Sequence, residues 1–222
     1  MSSPYRGLYA ILDSDFLAAH GVDLLDFAER IVAARPALLQ LRAKTLGARD
    51  TLALLRSIEA RCRPLAIPVF MNDRPDLAIL AGVRGVHLGQ TDLEPREARA
   101  LAAELSVGIS THSLEQLERA LLEQPAYVAF GPVFATGTKP DTEPVVGLAA
   151  LEEAARRCRG ARVPLVAIGG INLERAALVQ PHADAAALIS ALLPAAGLAA
   201  VTSTAARFQS VLCGSRSGAA SP

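Results

Sequence analysis

Short apolar runs recur along this chain, and nearly every one stops at a small polar cluster. Leu38-Leu39 leads into Gln40-Leu41-Arg42-Ala43-Lys44, residues 67–71 into Asn72-Asp73-Arg74, and Gly85-Val86-His87-Leu88 into Gly89-Gln90-Thr91-Asp92. Val107-Gly108-Ile109 precedes Ser110-Thr111-His112, Val166-Ala167-Ile168 precedes Gly169-Gly170, and Ala187-Leu188-Ile189 precedes Ser190. Residues 127–130 run into a Gly- and Pro-rich stretch that ends at Lys139. Apolar runs this short, separated by segments of helical period, read as buried parallel strands. They centre on Ala10, Leu39, Val69, Val86, Val107, Val128, Val166 and Leu188. The intervening helices are predicted at 24–34, 48–62, 76–81, 95–104, 114–122, 147–159 and 173–179. Leu52, Leu55 and Ile58 fall at helical spacing, as do Leu117, Ala120 and Leu121. Ser113, with Gln116 three residues later, resembles a capping box, and Asn172 is a second cap candidate.

Eight strands alternating with helices predict an α/β fold, a (β/α)8 TIM barrel in a single domain. The rival is an open doubly wound sheet, which gathers its site from two or three strands at one switch point. Here at least seven strand ends carry polar residues, which favours a closed ring. Residues 1–209 are assigned to the barrel and 210–222 to a disordered tail, whose Gly/Ser/Ala-rich part is 214–222.

Composition narrows the chemistry. The 222 residues are 51% hydrophobic but only 4% aromatic, so the core is built from Ala, Leu, Val and Ile. Lys+Arg 22 balances Asp+Glu 22, and no global positive field exists to hold nucleic acid. No basic amphipathic run or long apolar stretch points to a membrane. Any anion must be held locally. The three cysteines, Cys62, Cys158 and Cys213, are far apart and form no CxxC pair, which suggests neither a disulfide framework nor a zinc site. A reducing cytoplasmic location is the natural reading; the sequence does not reveal oligomeric state, and a homo-oligomer stays open.

The polar clusters hold cations, carboxylates, hydroxyls and glycine turns. Gln40, Arg42 and Lys44 alternate and so aim one way, two cations and an amide suited to a polyphosphate. Asp73 and Asp92 end successive strands that lie about 5 Å apart. They can share a hard cation such as Mg2+, although each also fits a helix cap, Asp73 before Pro75 and Asp92 before Pro95. Thr136-Gly137-Thr138-Lys139 suits an anion-binding loop but lacks the spacing of a nucleotide P-loop, and 135–146 is a candidate lid. Gly169-Gly170 and Ile189-Ser190 end the last two strands, where barrels often hold a phosphate. His87 reads as a buried structural histidine. His112 is better placed, yet no triad, G-x-S-x-G or HExxH motif accompanies it. Without a dedicated nucleophile, the chemistry rests on leaving-group stabilisation and orientation.

In order along the chain, these motifs resemble the thiamine-phosphate synthase (thiamine-phosphate pyrophosphorylase) family: residues 9–13, QLRAK at 40–44, NDR at 72–74, GVHLGQTD at 85–92, GISTH at 108–112, GPVFATGTK at 131–139, AIGGI at 167–171 and Ile189-Ser190. The resemblance implies a transferase of thiamine biosynthesis that joins a pyrimidine diphosphate to a thiazole phosphate, giving thiamine monophosphate and pyrophosphate. It further implies that Gln40, Arg42, Lys44, Asn72, Ser110 and Lys139 hold the pyrimidine diphosphate. Of these, Arg42, Lys44, Lys139 and Ser110 would assist catalysis, with Mg2+ bound by Asp73 and Asp92. Thr136, Thr138, Gly170, Ile189 and Ser190 would hold the thiazole phosphate. The partners implied are these small phosphorylated substrates. One departure stands out: Pro181-His182-Ala183-Asp184-Ala185 replaces the family's usual Gly-Ala-Asp-Gly run, predicting a reshaped final turn near Ser190. Two alternatives are a thiazole tautomerase on the same barrel and a non-catalytic phosphate-binding barrel. Pro132, both aspartates and the intact Thr-x-Thr-Lys loop argue against the tautomerase, which is expected to carry a histidine near Pro132.

Overall fold

The computed structural model of the chain describes residues 5–136 and 143–214. Its strands are β1 (Gly7–Asp13), β2 (Leu38–Arg42), β3 (Val69–Asn72), β4 (Gly85–Leu88), β5 (Ser106–Thr111), β6 (Tyr127–Phe130), β7 (Leu165–Ile168) and β8 (Ala185–Leu188). Helices α1 (Ser14–Ala19) and α2 (Leu24–Ala33) follow β1. Then come α3 (Ala48–Cys62), α4 (Pro75–Ala81), α5 (Pro95–Leu101), α6 (Leu114–Leu122), α7 (Gly147–Ala161), α8 (Leu173–Val179) and α9 (Val201–Cys213). Each strand pairs in parallel with its neighbours in sequence, and β8 closes on β1, so the sheet is a closed barrel. The fold read from the polar strand ends is the fold observed.

Strand periodicity splits the apolar residues into two layers. Leu8, Ala10 and Leu12 of β1 point outward and join a cluster with helix residues such as Leu55, Ile58 and Phe208. Tyr9, Ile11, Leu38, Phe70, Tyr127 and Val166 point inward and fill the barrel. An eight-stranded barrel is just wide enough for side chains to fill it, and here three large rings share that space. Glycines make the room. A Cβ at Gly108 would overlap the Tyr127 ring, and one at Gly85 would lie 2.7 Å from Phe70 Cγ. Tyr5 closes the floor, its ring edge-on to Phe70 and Tyr127 with centroids 6.0 and 5.7 Å apart. Such pairs contribute about 1 kcal/mol each beyond the area they bury.

Some boundaries differ from expectation. Helix α5 stops at Leu101 because Ala102 is extended and its carbonyl accepts from Leu105 N, turning the chain into β5. Strand β8 ends, rather than centres, on Leu188, because its first three residues are alanines with little strand signal of their own. Helices α1 and α9 were not predicted. Along α9, Val201, Ala205, Phe208 and Leu212 are buried at helical spacing, and Gln209 Oε1 accepts from Leu8 N at 2.6 Å. This helix continues past residue 209, so 210–213 are part of the folded chain rather than the start of a tail; 215–222 lie outside the described residues.

The Pro181–Ala185 departure sits at the floor of the barrel. Asp184 Oδ2 accepts from Leu165 N at 2.9 Å, and the Asp184 carbonyl accepts from Gly7 N at 2.9 Å, stitching β7, β8 and β1 together. Five residues separate Asp184 from Ser190, the four of β8 among them, which places the two at opposite ends of the barrel.

Candidate active site

Parallel strands deliver their last residues to one mouth, where loops built on a rigid scaffold carry function. At the end of β2, Gln40 is buried inside the barrel. Arg42 Nη1 donates to Asp13 Oδ2 at 2.5 Å, and Asp13 lies directly across the β1–β2 register from it. Lys44, just beyond the strand, donates through Nζ to Asp73 Oδ2. All three thus leave the same end of β2, Arg42 held by Asp13 at the end of β1 and Lys44 by Asp73 just past β3.

Asp73 follows β3 in the left-handed region, at φ +61, and its N–H donates to the His87 carbonyl at 2.9 Å. A non-glycine residue held there stores strain that the surrounding bonds must support. Burial raises the Asp73 carboxyl above the usual range, and its hydrogen bond with the Asp92 carboxyl raises it further, while Lys44 pulls it back. Asp92 is oriented by Gly89 N, which donates to Oδ2 at 2.7 Å. Neither aspartate caps a helix. The N-cap of α4 is Arg74, and that of α5 is Glu94, whose N–H donates to Glu97 Oε2 at 3.0 Å.

The donor set fits Mg2+, a hard cation that takes one or two carboxylates and fills its other positions with water and phosphate oxygens. No cluster of three or more His, Cys, Asp or Glu that could hold a metal occurs among the described residues. Two carboxylates sharing one site, with an ammonium already drawn to them, have the charge such an ion would balance.

A polar chain crosses the barrel beneath the mouth. Gln40 Nε2 donates to Tyr9 Oη at 2.5 Å, and the Tyr9 and Tyr127 hydroxyls are 2.6 Å apart. Tyr127 Oη lies 2.9 Å from His87 Nδ1, and His87 Nε2 lies 2.8 Å from Ser110 Oγ. His87 is buried, as expected, but it also supports a predicted site residue.

On the other side, a cavity of about 520 Å³ is lined by Ser110, His112, Pro132, Thr136, Gly169, Gly170, Ile189 and Ser190 among others. Thr136, Gly170, Ile189 and Ser190 are therefore brought together; Thr138 and Lys139, with half of the candidate lid, lie outside the described residues. Gly169 and Gly170 both have positive φ, and the loop after β6 packs so tightly that a Cβ at Gly170 would lie 2.8 Å from the Phe134 carbonyl oxygen. Arg175 fastens this corner, donating to the Gly170 carbonyl at 2.7 Å while its guanidinium lies 4.8 Å from the Phe134 ring centroid. His112 Nδ1 is 2.6 Å from the Gly131 carbonyl. Gln116 does not complete a capping box with Ser113; Ser113 Oγ accepts from Gln116 N, but the Gln116 side chain accepts from His112 N instead. Asn172 caps α8 as predicted, accepting from Arg175 N at 2.8 Å.

The ends of β2–β4 thus form a cationic and acidic half-site, the ends of β6–β8 form a second concave half, and Ser110 of β5 lies between them. Tyr127 and Arg175 carry no site signal in the sequence, and Tyr9 and Asp13 stand there only as part of the 9–13 run, with no role of their own. Only Asp13 had a usable signal there, an acidic residue at a strand end.

A family model of thiamine monophosphate synthases matches residues 8–192. Thiamine-phosphate synthase from Koribacter versatilis is 43% identical over 190 residues, covering 84% of this chain and 88% of that protein. Its counterpart from Thermus thermophilus is 50% identical over 149 residues, covering 67% and 70%. Among solved structures, thiamine phosphate pyrophosphorylase from Pyrococcus furiosus superposes with a TM-score of 0.81 at 26% identity, over 95% of this chain and 96% of that one. With the match spanning the strands that build both half-sites, the chain belongs to the thiamine monophosphate synthase family.

Proposed function

We propose that the two half-sites divide the labour of thiamine monophosphate synthesis, the reaction of the family. The β2–β4 side takes the pyrimidine diphosphate through Gln40, Arg42, Lys44, Asn72 and Ser110, with Lys139 from the loop after β6. The β6–β8 side takes the thiazole phosphate through Thr136, Thr138, Gly170, Ile189 and Ser190. The observation that carries this reading is the division itself: Lys44, Asp73 and Asp92 meet on one side, the cavity opens on the other, and Ser110 borders both.

The reaction breaks the bond between the pyrimidine methylene carbon and the diphosphate oxygen, and the electron pair leaves with pyrophosphate. The thiazole nitrogen lone pair then forms the new C–N bond, so no protein base is needed. Arg42, Lys44 and Lys139 stabilise charge that grows on the leaving oxygens, in a site where preorganised donors act strongly. Asp73 and Asp92 would hold Mg2+, which supplies further neutralisation of the diphosphate. Orientation across the mouth brings nucleophile and carbon together.

The cysteines are consistent with a cytoplasmic enzyme: all three are free, and Cys62 and Cys158 are buried. No helix among the described residues is long and apolar enough to cross a membrane.

The test is pyrophosphate release from purified protein, with each substrate alone and with both, in the presence and absence of Mg2+. Release that needs both substrates and Mg2+, matched by thiamine monophosphate, supports the proposal. Release without Mg2+ overturns the metal assignment, and binding without release overturns the catalytic one.

A further inference from the structure

We propose that Tyr9, Tyr127 and His87 form a directional hydrogen-bond relay that couples Gln40 to Ser110 and sets the Ser110 hydroxyl as a donor to the diphosphate. The inference rests on the reading of Gln40 and Ser110 as contacts of the pyrimidine diphosphate. It makes the two tyrosines and the histidine positioning residues.

The chain is continuous: Gln40 to Tyr9 at 2.5 Å, Tyr9 to Tyr127 at 2.6 Å, Tyr127 to His87 at 2.9 Å and His87 to Ser110 at 2.8 Å. Each tyrosine hydroxyl carries one proton, and a neutral imidazole has one donor and one acceptor nitrogen. Every link therefore constrains the next. In one direction Gln40 Nε2 donates to Tyr9, Tyr9 to Tyr127, Tyr127 to His87 Nδ1, and His87 Nε2–H to Ser110 Oγ. The Ser110 proton is then left to point outward. In the reverse direction Ser110 donates inward to His87, and the Gln40 amide must turn its oxygen to Tyr9.

An anion at the mouth can only accept, so it selects the first direction. That direction also keeps the Gln40 N–H groups on the tyrosines and its carbonyl oxygen away from them, as an acceptor for a donor on the pyrimidine. The two substrate contacts thus lock together.

Packing holds the relay in place independently of its protons. The Tyr127 ring is edge-on to Tyr5, Phe70 and Tyr9, and the His87 ring stacks on it at 5.7 Å with a 13° interplanar angle. Glycine at 108 is what admits the ring. Tyr9 and Tyr127 are fully buried, and desolvation raises both hydroxyls above their ordinary range, so they keep their protons.

The test reads the His87 tautomer by 15N NMR in the full chain, assigning its signal with His87→Asn, with and without inorganic pyrophosphate. Wild type with pyrophosphate is expected to show neutral His87 protonated at Nε2. Tyr127→Phe, which keeps the ring and removes one link, is expected to give a mixture of tautomers. It should also raise KM for the pyrimidine diphosphate about tenfold, the loss expected for one buried hydrogen bond, while KM for the thiazole phosphate stays unchanged. Combined with Ser110→Ala, the two effects should fall well short of additive. If Tyr127→Phe does not fold, Tyr9→Phe removes one of the two tyrosine contacts of Gln40 and the proton that Tyr9 gives Tyr127, and is expected to mix the tautomers too.

Protonation of His87 at Nδ1 in the presence of pyrophosphate, or additive effects of the two substitutions, overturns the relay alone. Unchanged pyrophosphate binding in Ser110→Ala overturns the diphosphate reading and the relay with it.

Discussion

Asp13 holds Arg42 with one carboxylate oxygen and a helix with the other. Oδ2 accepts from Arg42 Nη1 at 2.5 Å, while Oδ1 accepts from Asp15 N at 3.1 Å and Phe16 N at 3.0 Å, capping α1. The carboxylate is only 4% exposed, so its orientation is fixed by these partners. The guanidinium spends one nitrogen on Asp13 and can turn its remaining donors to the mouth. Asp13→Asn keeps the cap oxygen and the shape but removes the charge. We expect about a tenfold loss in kcat/KM, with unfolding free energy lower by about 2 kcal/mol, as for a charge-assisted bond. Steady-state kinetics and urea unfolding would check both. Full activity in Asp13→Asn would show that Arg42 needs no such partner.

Asp73→Asn and Asp92→Asn should each cut turnover by about a hundredfold or more, the scale for losing one group that stabilises transition-state charge. Circular dichroism should remain that of the parent, because neither carboxylate caps a helix. The rate of each variant, followed while Mg2+ is titrated, separates weak metal binding from other defects. Near-normal rates at low Mg2+ would remove the metal from this pair.

Lys139 tests the role of the segment between β6 and α7. If its ammonium meets charge that develops as pyrophosphate departs, Lys139→Ala lowers kcat as well as diphosphate affinity. Single-turnover measurements at saturating substrate isolate that step. A change confined to KM would make Lys139 a binding residue only.

How far the sequence reaches can be judged from particular residues. Gln40, Arg42 and Lys44 were legible because strand alternation fixes which side chains share a face, and the barrel follows from where such strands end. Asp73 and Asp92 each fitted a helix cap or a shared cation site, and their partners set the caps aside: Lys44 for one, Gly89 N and the opposing carboxylate for the other. The hydroxyls of Tyr9 and Tyr127 were silent, since an aromatic residue in an apolar run reads as core. Both residues are core, but their hydroxyls meet across strands distant in sequence. Helix α9 escaped because its buried positions are spread among Thr, Ser and Ala, leaving a stripe that becomes clear only against β1.

The cysteines give a last prediction, one that depends on the barrel's outer layer rather than its mouth. Cys62 on α3 and Cys158 on α7 are buried against the sheet, and burial pushes both thiols up to about 12, from an ordinary 9.0. Glu59 adds to the rise at Cys62 and Asp184 at Cys158, while Arg61 and Arg159 oppose it. The thiolate is the reactive species, and at pH 8 such thiols are ionised to about one part in ten thousand. A thiol reagent should therefore modify only exposed Cys213 in the folded chain, and all three cysteines after denaturation. Because these pKa values are raised by folding, the stability they contribute is fully present below pH 9. It is lost as the pH climbs toward about 12, where the unfolded chain ionises first. Tyr9 and Tyr127, raised in the same direction from 10.0, steepen that fall. The melting temperature should hold steady from pH 7 to 8.5 and drop beyond it, with a shallower slope in Cys62→Ala measured against its own value at pH 7. A flat profile to pH 11, or rapid reaction of all three thiols in the native state, would mean that the helix layer opens to solvent far more readily than its packing implies.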